Sequence, residues 1–254
     1  MDDLDRFLAL ETRRLSLIST RVEPFDAGTA YFDDAYPERF VSNLLVVDDA
    51  GGISGDELIG MADDILGRSG SLHRFVKVLD DGARHLAPTF RDAGYEPGRI
   101  VGMVLRRPPD RPAGLEVEEC SFDAVLPLTE EIYRRELPSA PETAARFVEQ
   151  HAAWDRILGT RRFVARIDGS PAGQCELYLI GPGALVEFVD TLQEYRGRGV
   201  ARAVVLAAAE AARRAGAERI FIGAEEDDWP KSLYERLGFD HIGGTWEFMR
   251  RPGV

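Results

Sequence analysis

Apolar positions in the second half of the chain switch cleanly between a period of two and helical spacing. Residues 115–120 alternate and predict a strand. Residues 123–136 and 143–158 carry apolar side chains at helical spacing, with Pro141 just ahead of the second run, where a helix start tolerates proline. A strand over 162–167 meets a turn at Asp168-Gly169, and 174–180 returns. Gly181-Pro182-Gly183 turns the chain again into an apolar strand over 185–192. Residues 199–215 are Ala-rich and predict a long helix stopped by Gly216. A strand over 219–222, a helix over 230–237 stopped by Gly238, and a last strand over 242–249 complete the half. The order β-α-α-β-β-β-α-β-α-β predicts antiparallel hairpins followed by a βαβ crossover, hence an α/β fold of the α+β kind on a mixed sheet.

The first half echoes this pattern in part. Residues 40–47 are apolar and predict a strand comparable to 185–192. Residues 56–66 predict a helix and 75–79 a strand. Residues 86–93 predict a short helix with Pro88 in its first turn, ending in Gly94-Tyr95, before a strand over 100–105. Both halves finish alike, with Arg106-Arg107-Pro108 after one and Arg250-Arg251-Pro252 after the other. Gly94 and Gly238 are 144 residues apart, and Met103 and Met249 are 146 apart; matches in one order at nearly the same offset predict a duplicated fold. Three Pro and a Gly within 106–114 break any helix or central strand. The expected division is therefore a domain over 1–108, a linker over 109–114 and a domain over 115–254.

Composition narrows the partners. The net charge of -13 argues against nucleic acid and leans toward a cationic acceptor. There is no membrane-length apolar run, and the first ten residues carry three Asp and no basic stretch ahead of an apolar core, so a cytoplasmic location is the expectation. Two Cys and four scattered His give no metal-ligand spacing, and no metal is expected. A duplicated chain predicts a monomer or a homodimer, since two halves can pair as two subunits would.

The chemistry concentrates in Tyr195-Arg196-Gly197-Arg198-Gly199-Val200-Ala201, which links the strand over 185–192 to the Ala-rich helix. Two glycines let the backbone turn tightly and approach a ligand. The first amides of a helix have no intrahelical partner, and with the helix dipole they favour phosphate. Arg196, Arg198 and Arg202 add positive charge. A P-loop requires Gly-Lys-Ser/Thr at the helix start, where Gly199-Val200-Ala201 stands; a dinucleotide fingerprint requires a third Gly where Arg202 stands. The segment therefore reads as a pyrophosphate-binding turn of another design.

Arg196-x-x-Gly199-x-Ala201 after a strand and before a helix resembles the acetyl-CoA signature of the GNAT N-acetyltransferase superfamily. Ser232-Leu-Tyr-Glu-Arg-Leu-Gly-Phe239 resembles the second element of that signature, and the likeness covers about residues 115–250. It implies a transfer of acetyl from acetyl-CoA to a primary amine by direct attack. Main-chain groups of Val189, Asp190 and Thr191 would face the pantetheine arm and the acetyl carbonyl. Amides of Arg196, Gly197, Arg198, Gly199, Val200, Ala201 and Arg202 would hold the pyrophosphate. Tyr234 would protonate the departing thiolate. Asp227 stands where many members have Asn; an ionised Asp accepts a hydrogen bond but cannot donate one, which leaves it a weak cofactor contact.

Loss of a proton from the amine calls for a base. Period-two alternation puts Glu187 on one face with Val189 and Thr191, which makes Glu187 the first candidate and Glu176 on the preceding strand the second. In the first half, Asp48 and Asp49 precede Gly51-Gly52 where the second half has Arg, so no CoA pyrophosphate is expected there. That half is expected to be a degenerate acetyltransferase-like domain walling off a substrate cleft. The acceptor is expected to be a small molecule or a peptide, with aminoglycosides, polyamines and peptide N-termini as the cationic classes. The competing reading is a non-catalytic acyl-CoA-binding sensor of the same fold.

Overall fold

Caps and turn residues set the limits of the elements in the computed structural model, which describes residues 1–252. The chain forms two units, one of residues 1–102, 224–228 and 242 onward, the other of residues 103–223 and 229–241. In the first unit, α1 (Asp3–Ile18) opens on a capping box: the Asp5 amide donates to the Asp2 carboxylate at 2.8 Å, and the Asp2 amide donates to that of Asp5 at 3.1 Å. A hairpin of β1 (Arg21–Phe25) and β2 (Gly28–Phe32) runs antiparallel to β3 (Leu44–Val47). The helix α2 (Gly55–Arg68) then crosses to β4 (Arg74–Val78), parallel to β3. After α3 (Ala87–Asp92) come β5 (Glu96–Leu105), which enters the unit as far as residue 102, and residues 242–250 of β11 (Phe239–Arg250). The strand order is β1-β2-β3-β4-β11-β5.

The core of this unit gathers Phe32, Leu45, Leu58, Leu66, Val76, Phe90 and Phe248, all fully buried. Lys77 is buried beside it, and its ammonium lies 2.7 Å from the Glu11 carboxylate and 3.3 Å from that of Glu247. Burial alone would lower the Lys77 pKa, but the two carboxylates outweigh it and raise it. The ammonium thus joins α1, β4 and β11 through one paired charge.

The second unit runs β6 (Val117–Cys120), α4 (Phe122–Glu136), α5 (Pro141–Leu158), β7 (Arg161–Ile167), β8 (Ser170–Ile180), β9 (Gly183–Thr191), α6 (Val200–Arg214), β10 (Arg219–Glu225) and α7 (Trp229–Arg236). Its strands lie in the order β6-β7-β8-β9-β10-β5. Neighbours from β6 to β9 are antiparallel, and β9 pairs parallel with β10 across α6. Each unit therefore has an antiparallel run leading into a parallel pair bridged by one helix: β3-α2-β4 in one, β9-α6-β10 in the other. This is the duplicated mixed α/β fold that the sequence echo predicts. Among the described residues no helix is long and apolar enough to cross a membrane.

Three expectations change. Phe40–Ser42 is a short 3-10 turn, and only Leu44–Val47 is strand. The first 32 residues, unassigned in the sequence, hold α1 and the β1-β2 hairpin. The linear division at 109–114 also differs from the one the packing makes, because Trp246–Arg250 pair in antiparallel register with Val78–Arg74 of the first unit.

Gly238 ends α7 with φ +98°, where a Cβ would lie 2.0 Å from the Arg107 carbonyl oxygen. The amides of Arg106 and Arg107 both donate to the Gly238 carbonyl at 3.0 Å. Both the backbone conformation and the close approach exclude a side chain. Gly238→Ala is expected to cost at least about 2 kcal/mol in a urea unfolding experiment.

Candidate active site

The strand leading into the Arg-Gly turn is irregular where the chemistry is expected. Gln174 pairs with Asp190 and Glu176 with Glu187, so β9 spends one more residue than β8 between the two pairs. That is a β-bulge, and Phe188 within it has φ +53°. The unusual conformation is held by packing. The Phe188 ring meets the His151 ring edge-on at 4.1 Å and lies 6.1 Å from that of Tyr133.

The bulge decides which side chains share a face. Cys175 donates its thiol to the Val204 carbonyl of α6, and a Cβ on Gly173 would lie 2.6 Å from Val200 Cγ1. Thr191, opposite Gly173, belongs to this α6 side. Gln174 donates to Thr129 of α4 at 3.4 Å, and Glu176 meets His151 of α5. Glu187 and Asp190, their cross-strand partners, lie on that α4/α5 side. Alternation from Glu187 to Thr191 therefore fails: the extra residue places Glu187 on the face opposite Thr191.

Beneath the bulge is a buried polar chain. The Tyr133 hydroxyl lies 2.6 Å from His151 Nε2, and His151 Nδ1 lies 3.3 Å from Glu176 Oε1. Arg162 Nη2 donates to Glu176 Oε1 at 2.9 Å, and the Tyr178 hydroxyl donates to Glu176 Oε2. Burial pushes the Glu176 pKa up, but His151, Arg162 and Tyr178 outweigh it and hold the carboxyl ionised down to about 2. With 2% exposure and these partners, Glu176 is no base for an incoming amine. Asp190 is the opposite case. Burial, reinforced by the carboxylates of Glu136 and Glu176 and only partly offset by Arg196, raises it to about 7.

The turn itself has the form an anion requires. Gly197 and Gly199 have φ +75° and +85°, with open space where side chains would stand. Gly199 is the N-cap of α6, and no side chain caps the helix. The corresponding helix of the first unit is closed by its own residues. The Ser54 amide and hydroxyl both donate to Glu57 Oε2, the Glu57 amide donates back to Ser54 Oγ, and the Gly51 amide donates to Asp49. At the start of α2 the Ser54 and Glu57 amides are thus engaged by side chains, whereas α6 has no side-chain cap. The buried Thr191 hydroxyl, just before the turn, has no hydrogen-bond partner among the described residues. These features fit the phosphates and amide-rich arm of a CoA donor.

The side chains of the turn divide. Arg196 and Arg198 are exposed, Arg196 reaching the Thr191 carbonyl at 3.4 Å. Arg202 does not contribute its charge as expected. It is 4% exposed, 2.6 Å from the Asp110 carboxylate, and donates to the Arg111 carbonyl at 3.0 Å. Only its main-chain amide remains at the helix start, beside Val200 and Ala201. Tyr234 is buried in α7 of the same unit, its ring 6.3 Å from Phe239. Asp227 is exposed and belongs to the first unit. A cavity of about 800 Å³ between α4 and α5, floored by Leu126, Ala144 and Val148, contains no residue of the turn and is given no part in this chemistry.

Known proteins supply the family. A sequence model of the Acetyltransferase (GNAT) family matches residues 122–239. No curated protein sequence matches the chain. A functionally unknown conserved protein from Staphylococcus epidermidis is similar in structure, with TM-score 0.73 and 13% identity over 92% of this chain and 94% of that one. A GCN5-related N-acetyltransferase from Kribbella flavida gives TM-score 0.59 and 16% identity over 100% and 97%. A tandem GNAT protein from the clavulanic acid biosynthesis pathway gives 0.55 and 18% over 78% and 70%. At these identities the likeness is one of fold. Residues 122–239 are a domain of the acetyltransferase (GNAT) family, and the N-terminal half of the chain repeats a GNAT-like fold without its open turn.

Proposed function

We propose that the chain is an N-acetyltransferase that moves acetyl from acetyl-CoA to a primary amine of a small molecule or peptide. The observation that carries the reading is the contrast between two helix starts. The amides of α6 are left open behind Gly197 and Gly199, while those of α2 are closed by Ser54 and Glu57. The donor's pyrophosphate would lie on the main chain of Arg196–Arg202, numbers 196 to 202 of the turn, with Arg196 and Arg198 alongside. Main-chain groups of Val189, Asp190 and Thr191 would serve the pantetheine arm and the carbonyl.

Amine attack forms the N–C bond as the C–S bond breaks. The amine loses one proton to a carboxylate of the α4/α5 side, where Glu187 stands, and the thiolate gains one from the Tyr234 hydroxyl. The unit that carries both groups needs no metal for this chemistry as proposed. The protein is proposed to act in the cytoplasm as a monomer or homodimer, on an amine rather than on nucleic acid or membrane.

Calorimetric titration with acetyl-CoA tests the donor site: about one equivalent is expected per chain. Two equivalents would give the first unit a site of its own, and none would overturn the reading. Tyr234→Phe is expected to lower kcat at least about tenfold in thiol release with a panel of primary amines while acetyl-CoA affinity stays unchanged. A sensor of the same fold would bind acetyl-CoA and release no thiol with any amine.

A further inference from the structure

We propose that Asp190, with Gln174 and Glu136, forms the seat of the acceptor's ammonium group, and that the Asp190 carboxylate takes its proton. The proposal rests on the acetyl-transfer reading and names the acceptor as an amine that arrives as a cation. Three observations converge. Asp190 is half-buried on the α4/α5 side of β9, and among the described residues no side chain or amide donates a hydrogen bond to it. Gln174, directly opposite in register, is 2% exposed, and its Oε1 has no hydrogen-bond partner among the described residues. Glu136, at the C-terminal end of α4, is close enough for its charge to act on Asp190. Asp190 and Gln174 Oε1 are thus two neighbouring acceptors for which the described residues supply no donor, and Glu136 adds its negative charge. An ammonium supplies up to three N–H donors and one positive charge.

The bulge gives this seat its relation to the proposed donor site. It places the Asp190 side chain on the α4/α5 side, while Thr191 returns to the α6 side. A nucleophile held at the Asp190 side chain is thus beside the main chain of Val189, Asp190 and Thr191 proposed to face the acetyl carbonyl. The surrounding charges set the direction of the proton. Glu136 from α4, Glu176 from β8 and Glu187 from β9 itself are acidic; Arg196 beyond the strand and His151 of α5, engaged with Glu176, are the opposing groups. With its carboxyl raised to about 7, Asp190 is neutral at acid pH and a charged acceptor above neutrality, which matches a base that works on an ammonium. When the ammonium binds, one N–H bond passes its proton to the Asp190 carboxylate and the freed lone pair attacks the thioester carbon; the second proton, lost from nitrogen as the amide forms, goes to the Glu187 carboxylate, and the thiolate is protonated by Tyr234 as above.

The test uses the full chain and two probes, n-butylamine and the uncharged n-butanol, followed by NMR titration at pH 6 and pH 8, with and without CoA. Butylamine is expected to bind the wild type at least about fivefold more tightly at pH 8, where the carboxylate exists to meet the cation. Asp190→Asn is expected to lose about tenfold at pH 8 and to lose the pH step. Glu136→Gln is expected to move the midpoint of the step to lower pH, which a merely structural role would not do. Equal butylamine affinity at both pH values, butanol binding as well as butylamine, or loss of the step in Glu187→Gln and not in Asp190→Asn would each overturn the proposal. The amine titration without CoA reads the seat even if the donor reading fails, because that failure appears separately as absent CoA binding.

Discussion

Arg162→Met is expected to destabilise the protein by about 3–5 kcal/mol, the size of change seen when one partner of a buried ion pair is removed and the other charge is left behind. Arg162 is 2% exposed and meets three groups: Asp155, Glu176, and the Phe122 ring, whose centroid is 4.8 Å from the guanidinium carbon. Met keeps the aliphatic stem, so the loss reports charge and hydrogen bonds rather than volume. The pH dependence has a definite sign. The Glu176 pKa is depressed to about 2, so its contribution is full above the ordinary carboxylate range near 4 and is lost as pH falls toward 2. Removing Arg162 raises that pKa, and acid unfolding is expected to begin at higher pH in the variant. Urea denaturation at pH 7 and pH 4 checks both statements. Since Glu176 is left inadequately paired only in the single variant, Arg162→Met/Glu176→Gln is expected to lose less than the sum of its parts. Additive losses would show that the pair is not coupled.

The same residues show what the sequence carried and what it did not. From β6 onward the elements fall within a few residues of their expected limits, because Gly, Pro or Asp-Gly punctuates almost every boundary. The glycine-rich turn is legible for the same reason: its chemistry is in the main chain and needs only glycines and a following helix. The bulge is not legible. Val-Glu-Phe-Val-Asp reads as regular alternation, and the residue that breaks it, Phe188, does so by packing on His151 and Tyr133 from two helices far off in the chain. Glu187 therefore changed faces, and the carboxyl of Asp190 stood unread beside its own main chain. Arg202 is a similar case, since the turn's positive charge counts it but Asp110 claims it. In the first unit, α1 hides a buried acid on its apolar face; Glu11 belongs there only because Lys77 meets it. Pro24 in β1, at the edge of the sheet, masks a strand in the same way.

Duplication explains why one half can lose its site without losing its fold. In α2 the capping box engages two amides, those of Ser54 and Glu57, where α6 has no side-chain cap, and capping of this kind stabilises a helix by about 1 kcal/mol. An open helix start costs that stabilisation and is retained where a ligand supplies the missing partners. The first unit caps its helix with its own side chains at the position where the second has no side-chain cap.

Gly199→Asp is accordingly expected to weaken acetyl-CoA binding by about 100-fold with little loss of fold. Gly199 sits at φ +85° with nothing within 4 Å of the place a Cβ would take, so a side chain has room. Asp is among the few L-residues that tolerate this left-handed conformation, at a cost of about 1 kcal/mol. Its charge would stand at the helix start where the proposed pyrophosphate lies. Two like charges 4 Å apart repel by about 1 kcal/mol in water and about 4 kcal/mol near a protein surface, which brackets a 100-fold loss. Gly199→Asn separates the causes, since it has the shape and the same backbone demand but no charge, and it is expected to lose no more than about tenfold. Because the difference between the two variants is electrostatic, it is expected to shrink as salt is raised from 0.05 to about 0.5 M. Calorimetry with acetyl-CoA, alongside melting temperatures for both variants, decides the matter. If Asp and Asn weaken binding equally, the turn acts by its shape alone; if neither weakens it, the pyrophosphate lies elsewhere and the open start of α6 is not the donor site.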